Sequence, residues 1–290
     1  MAAFMDSHCI SFAEIPHTTG LFRDYLHDFA RVKRFFAHDP FDPGSFAAAR
    51  TAQIDFALCR AVADVLAAQN DRLGAGPATL ENIQRLREAR VRAVVTGQQV
   101  GLFGGPAYSV YKALTAIALA ERLSAQGMPA VPVFWLASED HDFAEVNHCL
   151  LLDDQQQFVA LRHLTPPRAD APVGQIEFQD AIESLREQAA ALWPGEAAAE
   201  ANGLLSGYRT GATYGQAFGR LLQRLLAGRG LIVLDSADAT LHHLSLRVFR
   251  RALEDAPALD AKLRERDREL TKAGYHAQVR LRENATLLFH

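Results

Sequence analysis

Two polar segments carry the residue types that chemistry requires. The first is Gly97-Gln98-Gln99-Val100-Gly101-Leu102-Phe103-Gly104-Gly105-Pro106. Glycine lets backbone approach a ligand closely, and such a loop ahead of a helix offers amides and the positive end of the helix dipole to an anion. The spacing matches neither GxxxxGK[ST] nor GxGxxG. An anion-holding role for Gly97, Gly101, Gly104 and Gly105 therefore rests on position and composition, against the plainer reading of a tight strand-to-helix turn. Gln98 and Gln99 are suited to orienting a polar substrate. Tyr108 and Lys112, four residues apart, share a helical face and aim a hydroxyl and a cation at the loop; the plainer reading of Lys112 is a solvated surface lysine.

The second segment is Ser138-Glu139-Asp140-His141-Asp142, with Glu145 and His148 close behind. His141, between two aspartates, is a candidate general acid or base, with Asp140 or Asp142 fixing its tautomer. The same groups suit Mg²⁺, Mn²⁺ or Zn²⁺, but neighbours in extended chain point opposite ways, so they share an ion only across a turn; no metal ligand is assigned. A third reading has one of the two aspartates capping a helix. Asp235, closing a later apolar run, is a candidate partner for a ribose or sugar hydroxyl. Cys149, in Cys149-Leu150-Leu151-Leu152, reads as a buried inert thiol, and Thr210-Gly211-Ala212-Thr213 as a helix cap.

The elements that must position these groups form a βαβ unit. Val91 to Thr96 and Val131 to Ala137 read as buried parallel strands, joined by a helix from Tyr108 that Gly127 and Pro129 stop, with Pro106 in its first turn. Both polar segments then leave the carboxyl ends of parallel strands, the edge where open α/β sheets bind ligands. Leu231 to Asp235 is a third such strand, preceded by a helix over Tyr214 to Leu226. Upstream, Ser11-Phe12-Ala13-Glu14 has the spacing of a capping box. Leu21, Phe22, Tyr25, Leu26, Phe29, Val32 and Phe36 form a helical stripe best read as core. A helix over Ser45 to Leu73 and another from Thr79 follow. Beyond Asp153, Gln155-Gln156-Gln157 and Thr165-Pro166-Pro167-Arg168 read as irregular or hairpin structure. Helices are expected over Ala181 to Leu192, Leu241 to Leu253 and Lys262 to Lys272, and the run Ala285 to Phe289 is strand-like. The expected organisation is a helical lead-in over 1–90 packed on the core, a first βαβ half over 91–153, an insertion over 154–205, and a continuation of the core over 206–290 that stops short of completion.

With 290 residues, 49% apolar and 22% charged, the chain has ample material for a core. A net charge of −4 with scattered basic residues gives no reason to expect nucleic acid. The three cysteines are widely spaced with no CxxC pair, which fits a reducing cytoplasm. The sequence shows no secretory signal and no run of membrane-span length.

The segment Thr96 to Pro106 with Tyr111-Lys112, the segment Val133 to Phe143, and the later Thr213 to Phe218, Gly230 to Asp235 and Gly274-Tyr275-His276 together resemble the bacillithiol-biosynthesis cysteine-adding enzyme family, over most of the chain. The resemblance implies an α/β fold with a Rossmann-like, parallel-sheet nucleotide-binding core akin to class I aminoacyl-tRNA synthetases and pantothenate synthetase, interrupted by an inserted segment. It implies a ligase joining cysteine to glucosaminyl-malate, with this chain an amino-terminal portion and a coiled coil dimerising longer members. The cofactor stays open, with ATP or ADP as candidates; the loop has neither histidine of the HxGH signature, so the resemblance does not carry ATP-driven adenylation of cysteine with it. In this reading the loops beginning at Gly97 and at Ser138-Glu139 frame the pocket. His141 moves the proton with Asp140 or Asp142, and Gly101, Gly104 and Gly105 hold a phosphate or the malate carboxylates. The rival readings are a non-catalytic nucleotide- or sugar-binding module and a metal-dependent hydrolase.

Overall fold

A computed structural model describes residues 9–48, 54–164 and 171–279, together with 281, 286 and 288. In chain order its helices and strands are α1 (Gly20–His27), α2 (Phe29–Val32), α3 (Pro43–Ala48), α4 (Phe56–Leu73), α5 (Pro77–Arg87), β1 (Arg92–Gln98), α6 (Tyr108–Ala125), β2 (Ala130–Leu136), α7 (Phe143–Val146) and β3 (His148–Leu152). There follow β4 (Phe158–Arg162), α8 (Ala181–Ala190), α9 (Gly195–Leu205), α10 (Tyr214–Leu225), β5 (Ile232–Asp235), α11 (Ala239–Leu244), α12 (Leu246–Glu254) and α13 (Ala256–Lys272). The chain divides into two compact units, residues 53–245 and residues 1–52 with 246–290.

The unit of residues 53–245 is α/β, with a parallel sheet in the order β1-β2-β5. Alternation along β2 sends Val131 and Val133 to one face, where Ala63 and Leu66 of α4 and Ile83 of α5 cover them. Phe134 and Leu136 point to the other, against Ala113 and Ile117 of α6 and Phe218 and Leu222 of α10. Both faces of β2 are thus covered up to Phe134, whereas β1, expected to be buried, is an edge strand with no fully buried residue: Ala93 and Val95 are exposed, as is Trp135 at the end of β2. Pro132 lies just before β5 pairing begins at Val133, so its missing donor disturbs the ladder little.

β5 ends the sheet, and its outer edge is covered by side-chain amides. Asn70 Oδ1 accepts from the Val233 amide at 3.0 Å while its Nδ2 donates to the Val233 carbonyl at 2.8 Å. Gln69 does the same for Asp235, accepting from its amide at 3.0 Å and donating to its carbonyl at 3.2 Å. Thr79 and Gln223 donate to the Leu231 carbonyl. Two consecutive residues of α4 therefore satisfy backbone groups that would otherwise invite another strand.

Several boundaries differ from the sequence reading. β1 runs on through Gly97 and Gln98, which pair with Trp135 and Leu136. Pro106 stands ahead of α6, its carbonyl accepting from Ser109. The stripe from Leu21 to Phe36 is broken at Asp28, yet Leu21 and Val32 do form a core, with Leu270 and Tyr275. That packing groups residues from 246 onward with the amino-terminal helices, whereas α4 and α5 belong with the sheet. The Ser11 amide donates to Glu14 Oε1, one half of a capping box, while Ser11 Oγ accepts from the Ala13 amide, around a turn without a helix. Ser245 divides the helix expected over Leu241 to Leu253. Residues 148–152 and 158–162 form an antiparallel hairpin that turns through Gln155-Gln156-Gln157, as expected, while α9 adds a helix that the sequence reading lacked. Thr165 to Arg168, residues 49–53 of the helix expected from Ser45, and most of Ala285 to Phe289 lie outside the described residues. Among the described residues, no helix is long and apolar enough to cross a membrane.

Candidate functional site

The three parallel strands end level: Gln98, Leu136 and Asp235 are successive partners across the sheet. Gly97, one residue earlier, is explained by the sheet itself, because a Cβ there would lie 2.6 Å from the Trp135 carbonyl oxygen. The glycine loop then folds inward, burying Val100, Leu102 and Phe103. Tyr208, fully buried, clamps it: the hydroxyl accepts from the Gly104 amide at 3.0 Å and donates to the Gly101 carbonyl at 2.8 Å. The Gly105 amide donates to the Leu102 carbonyl at 3.0 Å. Two of the amides expected to meet an anion are therefore already committed within the loop.

The glutamines do what the sequence reading left general. Lys112 Nζ donates to Gln98 Oε1 at 2.8 Å and to the Gly97 carbonyl at 3.3 Å, so it is bonded rather than merely solvated. Gln98 Nε2 donates to Gln99 Oε1 at 2.6 Å and to the Tyr108 hydroxyl at 3.2 Å. Gln99 Nε2 in turn reaches the acidic loop, donating to Asp140 Oδ2 and Glu145 Oε2 at 3.0 Å each. The two loops are laced together through consecutive side chains. Between them lies a cavity of about 440 Å³, with Gln98, Gln99, Tyr108, Glu145, His148 and Cys149 in its wall. Burial pushes the Cys149 thiol up to about 11, despite a hydrogen bond to Leu161 backbone, so it stays protonated and inert.

The acidic loop divides its labour. Asp142 Oδ1 accepts from the Glu145 amide at 3.1 Å and caps α7, which bears out the capping reading for one of the two aspartates. Burial raises the Asp140 carboxyl, but the amides of Asp142, Gln99 and His141 together outweigh it and hold the group below the ordinary carboxylate range. His141 is exposed beside Asp140 and is not among the residues lining the cavity, whereas Glu145 and His148 are. Glu139 turns the other way, 2.7 Å from Nε2 of His242 on α11, a partner absent from the sequence reading. Ser138, fully buried, donates to Asp235 Oδ1, which also accepts from the Ala237 amide at 3.1 Å. Ser138 and Asp235 are thus brought together across the strand ends, and Thr213 closes a capping box on α10. Among the described residues, no three His, Cys, Asp or Glu side chains converge where a metal ion could be held.

The committed Gly104 and Gly105 amides, the bonded Lys112 and the carboxylates Asp140 and Glu145 make this cavity a poor fit for the polyphosphate of ATP or ADP. An acidic wall with neutral amides suits an amine or a hydroxyl-rich sugar instead.

Residues 5–290 match the family model described as bacillithiol biosynthesis BshC, N-terminal Rossmann-like domain. The chain belongs to the BshC family. Among its relatives, a protein of Koribacter versatilis named "Putative cysteine ligase BshC" is 41% identical over 281 residues, covering 97% of this chain and 52% of that protein. The protein of the same name from Solibacter usitatus is 38% identical over 286 residues, covering 98% and 53%. That of Salinibacter ruber is 38% identical over 265 residues, covering 89% and 48%. The chain spans about half the length of these curated BshC relatives. The parallel sheet with helices on both faces agrees with the Rossmann-like description of the BshC domain.

Proposed function

We propose that this chain forms the substrate-binding core of a ligase that adds cysteine to glucosaminyl-malate in bacillithiol biosynthesis. The observation that carries the proposal is the cavity laced between the two loops by Gln98 and Gln99, at the ligand edge of a BshC-family sheet. The names of the relatives agree with it. The amino sugar sits in this cavity, its hydroxyls meeting Gln98, Gln99 and Tyr108 and its amine facing Glu145 and His148. Forming the amide closes a C–N bond between the amine and the cysteine carboxyl carbon with net loss of water. The nitrogen gives up a proton, and the carboxyl oxygen leaves either as water or, where ATP first activates the carboxyl, with the phosphoryl or adenylyl group that ATP supplied. The acidic loop offers two imidazoles for that proton: His141, flanked by Asp140 and Asp142, and His148 on the cavity wall. The glycines from Gly97 to Gly105, with Lys112, Ser138 and Glu139, shape and hold the two loops.

The decisive experiment incubates the protein with cysteine and glucosaminyl-malate, with and without ATP, and reads the adduct by mass spectrometry. Product is expected, and losing the imidazole that takes the proton lowers the rate by about 10²–10⁴-fold. Position on the wall favours His148→Ala over His141→Ala for the larger loss; unchanged rates in both variants remove the acidic loop from proton transfer. Binding of glucosaminyl-malate without product identifies a binding module instead. We assign the reaction to the cytoplasm, where cysteine stays reduced, and pairing of two copies to the longer form. Cell fractionation and light scattering of that form test these two assignments, and a membrane or secreted pool, or a monomer mass, overturns the corresponding one.

A further inference from the structure

A second cavity, of about 260 Å³, opens at the other end of the same row of strand ends. Its wall includes Arg72 at the end of α4, Arg220 on α10, Asp235 at the end of β5, and the apolar side chains Leu73 and Leu136. Asp235 Oδ1 is committed to Ser138 and the Ala237 amide, while Oδ2 lies on the side of Gly215, where an added Cβ would come within 3.5 Å of it. Arg220 donates to the Arg72 carbonyl at 3.2 Å, which occupies one of the five donors of its guanidinium. A small cavity with one carboxylate and two guanidinium groups in its wall disfavours a ligand carrying charge of a single sign. A phosphate would meet Asp235, and a simple amine would meet the two arginines.

We propose that this cavity binds an α-amino acid as its zwitterion, with Asp235 receiving the ammonium, Arg72 and Arg220 the carboxylate, and Leu73 and Leu136 a small apolar or thiol side chain. The donor set matches the ligand group by group, since guanidinium pairs with carboxylate through parallel charge-assisted hydrogen bonds. Identifying the amino acid as cysteine rests on the function proposed above; the zwitterion chemistry does not. Gln98, in the wall of the first cavity, and Asp235, in the wall of the second, end strands two spacings apart in the sheet, roughly 10 Å between backbones. One cavity would hold the amino sugar and the other the amino acid, at opposite ends of the row of strand ends.

Calorimetric titration of the whole chain with L-cysteine, cysteamine and 3-mercaptopropionate tests the assignment, because the two analogues lack the carboxylate and the ammonium respectively. L-Cysteine is expected to bind at least tenfold more tightly than either. Arg220→Gln and Asp235→Asn should each weaken L-cysteine at least tenfold, Arg220→Gln while leaving glucosaminyl-malate binding unchanged. Arg72→Gln, at an exposed side chain, repeats the test where folding is not at stake, and circular dichroism checks the other two variants. Equal affinity for L-cysteine in Arg72→Gln, Arg220→Gln and the parent chain overturns the inference, as does cysteamine binding as tightly as L-cysteine. So does an absence of L-cysteine binding both with and without glucosaminyl-malate. The adduct assay is read separately. Product formed with an unchanged KM for cysteine in the arginine variants keeps the ligase and sinks this site. Cysteine held here without product keeps the site and sinks the ligase.

Discussion

Gln99 is the residue on which the two loops depend, because a single amide nitrogen serves carboxylates at positions 140 and 145. In Gln99→Ala, Asp140 loses one of the donors that hold its carboxyl low, so its titration should move upward, as read by carboxyl ¹³C NMR. The sign follows for stability. A depressed carboxylate contributes stability that is present above its unfolded pKa and is lost as pH falls through the folded value. The variant should therefore show a smaller loss of stability in that acid range, and an unmoved Asp140 resonance would show that Gln99 does not hold it. Chemistry-bearing residue types were legible in the sequence at Gln98, Gln99, Tyr108 and the acidic loop, since amides and acids at a strand end have few other uses. Their division of labour was not. Which aspartate caps α7, which histidine lines the cavity and that Glu139 meets His242 are decided by turn geometry and by residues roughly a hundred positions away. Tyr208 and Arg220 gave no signal at all, because a lone tyrosine or arginine between helices looks like any other.

At the scale of elements, the edge of β5 makes the sharpest claim. Replacing Asn70 by Ala strips partners from both the amide and the carbonyl of Val233, and from Gln223, in a fully buried setting. Buried polar groups left unpaired cost about 1–3 kcal/mol each, so Asn70→Ala should lower unfolding free energy by roughly 3 kcal/mol or more in urea denaturation. A loss under about 0.5 kcal/mol, the range of ordinary surface changes, would mean that water or another side chain closes that edge. The strands and α6, α8 and α10 were readable because apolar period and turn residues agree there. The turn of the β3–β4 hairpin was legible at Gln155-Gln156-Gln157, but its first strand was not, because Cys149 to Leu152 looks like a continuous apolar run, although alternate residues of that hairpin face outward. Nor could periodicity show that Gln69 and Asn70, polar residues near the end of α4, stand in for a strand.

Across the larger unit, one buried group makes folding sensitive to mild acid. His163 is fully buried, shares a hydrogen bond between Nδ1 and the Tyr214 hydroxyl at 2.9 Å, and has no partner for Nε2 among the described residues. Burial pushes its pKa below the ordinary imidazole value of 6.5, so the folded chain keeps it neutral. The stability this represents is complete above about pH 6.5 and is lost as pH falls through the folded value. Denaturation midpoints should thus decline from pH 7 towards 5, and His163→Phe, set among Phe143, Phe178 and Tyr214, should flatten that decline. An identical slope in the variant would assign the effect to other groups. The family and the α/β class were legible in the long motifs, whereas the division into two units depends on packing between residues more than two hundred positions apart, such as Leu21 with Leu270. The level ending of the three strands also has a use in inhibitor design. Two fragments, one shaped for each cavity, could be joined along the row of strand ends by a tether on the scale of the roughly 10 Å between the ends of β1 and β5. At that length the second fragment binds at high effective concentration, and a shorter tether leaves one head in solvent.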